Sequence, residues 1–251
     1  MDKMNPKLSN APIVEAVVDI DCDMPTTFEV ENVIEQATAL FKESYPKTRK
    51  RYVHQHEIKQ KIGGDAEISS PSVEVQALQL LQEDEKQIIQ VRSQGYSFNR
   101  LAPYTSMDEY WEEIRGTWQI FAETFNPTQV QRVRLRFINR IFLPLDGGSL
   151  DFDDYLKVAP RLTDDVRLAF NNFINQHQVQ DVETGNTAKI VLATQAEEKG
   201  TLPILFDIEV IGRNAGDVSW DFIGNELEAL RNLKNHIFYN TLTDKCLTQF
   251  N

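Results

Sequence analysis

The stretch "RVRLRFINRI", residues 132–141, decides how the chain is read. Val133, Leu135, Phe137, Asn139 and Ile141 take one parity; Arg132, Arg134, Arg136, Ile138 and Arg140 take the other. Strict alternation belongs to a strand with two unlike faces, one packed on a core and one not. A row of arginines in a chain of net charge -12 needs partners, and the other strands supply them.

Working outward, "PIVEAVVDIDC" (12–22) is rich in Val and Ile and alternates in the same way. Val14, Ala16, Val18 and Ile20 suit a core, leaving Glu15, Asp19 and Asp21 opposite, beside Val17. "TTFEVENVIEQATALFKESYP" carries Val30, Val33, Ile34, Ala37, Leu40 and Phe41 on one helical stripe that ends before Pro46. Three strands are expected next: "KRYVHQHEIKQKI", "VEVQALQLLQED" and "QIIQVRSQGYSFNRL". In the last of these, Ile89, Val91 and Ser93 share one parity, and Gln90, Arg92, Gln94 and Tyr96 the other. "SMDEYWEEIRGTWQIFAETF" is a helix with Trp111, Ile114, Trp118, Phe121 and Phe125 inside and a capping box of Ser106 and Glu109.

The order then starts again. "VQRVRLRFINRIFLP" is a strand, "SLDFDDYLKVAP" a short helical or irregular connection, and "VRLAFNNFINQHQ", "TAKIVLATQAEE" and "LPILFDIEVIG" are strands. In the last, Phe206, Ile208 and Val210 face the core and Asp207 and Glu209 do not. A long closing helix buries Trp220, Ile223, Leu227, Leu230 and Ile237. "HIFYNTLTDKCLTQF" should dock back on the body or form a dimer surface.

Each half therefore reads β-α-β-β-β-α, residues 1–127 and 128–251, sharing one continuous antiparallel sheet as a single domain. The expected fold is α+β and two-layer, with the helices on one face and the halves pseudo-duplicated. This order is similar to the TATA-binding-protein-like and helix-grip arrangements, which fixes no function.

With the first strands of both halves side by side at the centre, Glu15 and Asp19 come near Arg134 and Arg136. The candidate ligand or partner site on the open face is Glu15, Asp19, Arg92, Arg134, Arg136, Arg140, Asp207 and Glu209. Two readings compete for these residues: a lattice of cross-strand ion pairs, each contributing ~0.2–1 kcal/mol, or a surface where arginine forks meet phosphate or carboxylate. A catalytic groove is a third reading.

Little else carries chemistry. His54 and His56 have a permissible metal-ligand spacing but no third ligand, so no metal or cofactor is expected. His177 and His236 are given packing roles. Tyr96, Phe98 and Tyr104 near Arg100 suit turn and core packing, with stacking on a base or peptide as the sharper alternative. "DFDDY" (151–155) and "TDD" (163–165) read as solvated acids. Cys22 and Cys246 lie far apart in sequence with no CxxC, so a reducing cytoplasm is expected. No run reaches the roughly 18 apolar residues of a membrane span, and "MDKMNPKLSNAP" has no apolar signal core. There is no GxSxG, reactive cysteine setting or Gly-rich phosphate loop.

Taken together, "LSNAPIVEAVVDI", "GYSFNRLAPY…YW", "VRLRFINRIFLP", "LFDIEV" and "HIFYNTLTD" resemble a sporadically distributed prokaryotic family of unknown function. Its recurring features correspond here to Pro12–Glu15, Arg136–Arg140, and Thr243 with Asp244. The resemblance implies a bacterial, cytoplasmic protein of accessory genome regions. It supplies no activity, and it directs attention to Glu15, Arg136, Asn139 and Arg140.

The leading expectation is a non-enzymatic binding protein that engages a protein partner, a second copy of itself or a small anionic ligand. An antitoxin, immunity or phage-defence accessory role fits the accessory-genome setting, and an acidic chain suits masking a basic partner. The alternative is a metal-dependent enzyme on a phosphorylated or nucleotide substrate, similar to the triphosphate-tunnel hydrolases. "VEAVVDID" approximates their Glu-x-Glu-x-Lys motif but lacks its lysine. A nucleic-acid saddle ranks last, because the overall charge opposes it.

Overall fold

The computed structural model describes residues 8–55, 58–60, 66–68, 72–145, 150–161 and 172–251, with the backbone alone over the described part of 54–72. Among these, an α+β chain forms a nine-stranded antiparallel open sheet and four α-helices. The strands are β1 (Ile13–Asp23), β2 (Lys47–Gln55), β5 (Ser72–Leu81), β6 (Gln87–Arg92), β7 (Gly95–Leu101), β8 (Gln129–Pro144), β9 (Ile174–Gln180), β10 (Thr187–Thr194) and β11 (Thr201–Ile211). Their spatial order is β2-β5-β6-β7-β1-β8-β11-β10-β9. A separate hairpin pairs β3 (Ile58–Gln60) with β4 (Ala66–Ile68).

β1 and β8 lie side by side in the middle, with Asp19 opposite Arg134 and Val17 opposite Arg136. The alternation of β8 translates directly into burial. Val133, Leu135, Phe137 and Ile141 are buried, whereas Arg132 and Arg136 are exposed and Arg134 and Arg140 half-buried. Ala16, Val18, Ile20 and Cys22 do the same in β1, and Phe206, Ile208 and Val210 in β11. Each such large apolar side chain contributes roughly 1.5–3 kcal/mol by leaving water.

These residues meet the helices α1 (Val30–Phe41), α2 (Met107–Phe125) and α3 (Trp220–Thr241). α2 buries Ile114, Trp118, Phe121 and Phe125 and ends on Asn126, which takes a left-handed conformation just before Pro127. Ser219 caps α3 by accepting the Phe222 amide. Trp111 and Trp220, from the starts of α2 and α3, meet edge to face at 5.5 Å and tie the two helices together. On α1, Val30, Ala37 and Phe41 are buried, while Leu40 faces solvent. Beyond α3, Leu242, Cys246 and Phe250 are buried, and the Phe250 carbonyl accepts the Asn10 amide, so the C-terminal segment docks on the body. Thr243 caps the short helix α4 (Asp244–Leu247) and donates its hydroxyl to the Asp154 carbonyl at 2.6 Å.

Several expectations are corrected. "QIIQVRSQGYSFNRL" is a hairpin, β6 and β7, and not one strand. Gly95 closes it at φ +128, where an added Cβ would lie 2.1 Å from the Ile20 carbonyl oxygen, so no other residue fits without moving the central strand. The turn resets the parity, and Tyr96 goes into the core, edge-on to Trp118, instead of onto the open face. The Ser106 side chain makes no cap hydrogen bond; Glu109 accepts the Thr105 hydroxyl instead. His177, on edge strand β9, and His236, on α3, are exposed instead of packed in the core. The His54–His56 side chains and the "TDD" run lie outside the described residues, as does the start of "VRLAFNNFINQHQ".

Candidate functional site: a charged groove on the open sheet face

The face away from α1, α2 and α3 holds a groove of about 410 Å³ that runs from β2 across to β11. Its floor is Val17, Ala77, Ser97, Asn99 and Ile138. Glu15, Asp19, Arg51, Arg92, Arg134, Arg136 and Glu209 surround it, so most of the sequence-derived candidates converge here.

The arginines are held by β1. Asp21 accepts from Arg92 Nη2 at 2.9 Å and from Arg134 Nη2 at 3.0 Å, and Asp19 lies 3.7 Å from each guanidinium. Arg92 also donates to the Tyr96 carbonyl at 2.9 Å, which locks it over its own hairpin turn. The Nε groups of Arg92 and Arg134 are buried with no hydrogen-bond partner. Asp19 further accepts the Ser97 hydroxyl. Beside this cluster runs a chain of amides: Gln79 donates to Gln90, Gln90 to Asn99 at 2.8 Å, and Asn99 to Glu15 at 2.8 Å.

Arg136 pairs across β11, bidentate with Asp207 through Nε at 2.9 Å and Nη2 at 2.6 Å. Those hydrogen bonds hold its guanidinium more firmly protonated than usual, with Glu209 and Glu15 adding to the effect. In the register Arg136 stands opposite Glu209, yet it reaches the diagonal acid. Glu209, and Arg51 on the opposite side, form no ion pair among the described residues.

Arg140 is not part of the groove. It pairs with Glu198 at 2.7 Å and Gln195 at 2.8 Å, with its guanidinium 4.8 Å above the Phe142 ring. Asn139 has core parity and is buried as the alternation requires, donating to the Phe206 carbonyl at 2.9 Å. Asp21, Ser97, Asn99, Gln90 and Arg51 were missed as site residues. The parity of Asp21 already marked it; Ser97 and Asn99 needed the Gly95 turn to be recognised.

Among the described residues no cluster of three or more His, Cys, Asp or Glu could hold a metal ion. Cys22 and Cys246 are free and buried, and burial pushes both thiols up to about 12. No described helix is long and apolar enough to cross a membrane.

No protein-family model matches the chain, and a search of curated proteins gave no significant match.

Proposed function

We propose that the chain is a non-enzymatic binding protein whose charged groove receives a segment of a partner protein carrying both signs of charge. The observation that carries this reading is the pairing pattern on the groove. Asp19, Asp21, Arg92 and Arg134 in its interior are paired with one another, whereas Arg51 and Glu209, on opposite sides, form no ion pair among the described residues. Pre-oriented charges lower the ordering cost of binding and set register and on-rate. Included in the proposal are the two-layer, pseudo-duplicated arrangement, similar to the TATA-binding-protein-like or helix-grip order, and membership of the prokaryotic family suggested by Pro12–Glu15 and Arg136–Arg140. A cytoplasmic antitoxin, immunity or phage-defence accessory role belongs to it as well.

The metal-dependent enzyme reading is less well supported. A divalent cation needs carboxylates converging on one point. Here Asp19 and Asp21 are engaged by Arg92 and Arg134, Asp207 by Arg136 and Glu15 by Asn99.

Pull-down with the wild type and with Arg51→Glu/Glu209→Lys tests the proposal. A partner captured by the wild type and lost by the charge-reversed protein, at unchanged melting temperature, supports it. Equal capture by both proteins, or no specific partner, sinks it. Stabilisation by nucleotides or polyphosphate, ~2.7 kcal/mol at a hundredfold excess over Kd, would move the reading to a phosphorylated ligand.

A further inference from the structure

A second cavity, of about 330 Å³, lies on the other side of β8 among the helices. Phe137 and Asn139, the core-parity neighbours of the groove arginines, line it together with Ile13, Tyr104, Phe238 and Lys234. Lys234 is the unusual member. On α3, half-buried itself, it falls in line with the buried stripe Ile223, Leu227, Leu230, Ile237, where an apolar side chain would be expected.

Among the described residues Lys234 has no ion pair and no hydrogen bond; its ammonium sits 4.0 Å over the Phe137 ring. A ring face offsets only part of the hydration a cation loses on entering such a site. Desolvation, reinforced by Arg231, lowers its pKa from 10.5 to about 7. Asp108, the acid that lines the cavity, is gripped by Arg231 through two hydrogen bonds, at 2.6 and 2.9 Å, and Glu228 lies 3.6 Å from the same guanidinium.

We propose that this cavity binds a small monocarboxylate on a compact apolar body, with Lys234 as its counter-ion. The inference is independent of the groove on the opposite face. One unpaired cation matches a single negative charge; a phosphate dianion would call for two. Ile13, Phe137 and Phe238 supply the apolar wall, and the amides of Asn139 and Asn235 and the hydroxyl of Thr105 line the polar part. The titratable or charged groups lining the cavity are few: Asp108 from α2 and Tyr104 ahead of it, and Arg231 and Tyr239 from α3 itself. β1 and β8 bring only uncharged residues to it.

The test uses the full chain with benzoate as the probe, benzamide as its neutral counterpart and inorganic phosphate as the dianion, read by isothermal titration calorimetry. Benzoate is expected to bind saturably at pH 6 and the other two not. Its affinity should fall about tenfold per pH unit above about 7, as the free ammonium deprotonates. Lys234→Met should weaken benzoate by roughly tenfold or more. A second measurement on the wild type is acylation of Lys234 by an amine-reactive reagent, followed by mass spectrometry; benzoate should protect it. Equal binding of benzoate and benzamide, no benzoate binding at millimolar concentration, unchanged affinity in Lys234→Met, or no protection would each overturn the proposal.

Discussion

Strand β8 separates two opposite ways of housing a cation. On its open side Arg134 is 26% exposed and shares Asp21 with Arg92, which is 15% exposed. On its helix side Lys234 occupies a position on a core stripe, its ammonium over the Phe137 ring, with no ion pair among the described residues. The difference teaches where each charge resides in the energy balance. The arginines have been supplied with counter-charges from the same sheet, so their removal from water is offset locally. Lys234 has not, so its ionisation works against the folded state.

The contrast can be broken experimentally, and the largest effect should come from Asp21. Asp21→Ala leaves two part-buried guanidiniums sharing Asp19 alone, and urea unfolding should show a loss of about 2–3 kcal/mol. If Asp21→Ala costs no more than an exposed pair, the cluster is only a solvated lattice.

Lys234→Met should act in the opposite direction, raising stability by ~1–3 kcal/mol at pH 6. The folded-state pKa is depressed to about 7, so below that pH the full penalty of the half-buried charge is present. Between pH 7 and the unfolded value of 10.5 the unfolded chain holds a proton that the folded chain does not, and wild-type stability from this group rises with pH. The gain of the variant over the wild type should therefore shrink across that window. A gain that stays constant with pH would mean that packing and not charge is responsible.

Arg136→Ala removes a bidentate but 44% exposed partner of Asp207, and a loss of about 0.5–1 kcal/mol is expected in the same assay. Arg140→Ala, which breaks a largely solvent-accessible pair with Glu198, should cost under ~0.5 kcal/mol and leave any partner affinity unchanged, because it lies outside the groove. Partner loss in Arg140→Ala would extend the binding surface to the far end of β8.

Much of this was legible in the alternation of β8, β1 and β11. Period two fixes which side chains share a face, and so Glu15, Asp19, Arg134 and Glu209 were brought to one groove without any knowledge of register. What alternation cannot supply is which acid each arginine chooses. Arg136 takes the diagonal Asp207 over Glu209 directly opposite, a matter of side-chain reach and not of sequence. The β6–β7 turn was missed because alternation continues across "QVRSQGYS", and only the backbone demand on Gly95 marks the reversal. His177 and His236 went wrong because histidine has no fixed preference for inside or outside. Lys234, by contrast, left a visible signal: a charged residue at the position where the stripe of α3 demands an apolar one.

The central pairing of β1 with β8 also sets the timing of assembly. Gln79 and Gln90, in the β5–β6 hairpin, are 11 residues apart, whereas Asp21 and Arg134 are 113 apart. The extra loop closure costs about 2 kcal/mol, so the local hairpins can form well before the middle of the sheet. On a ribosome adding ~5–20 residues per second, β1 stays an open edge for several seconds after β7 is complete, until β8 is synthesised. Through that interval Asp19 and Asp21 are edge charges of the kind that discourage strand addition by a foreign chain. The acids that later organise the arginines thus act first as guards of an unfinished sheet.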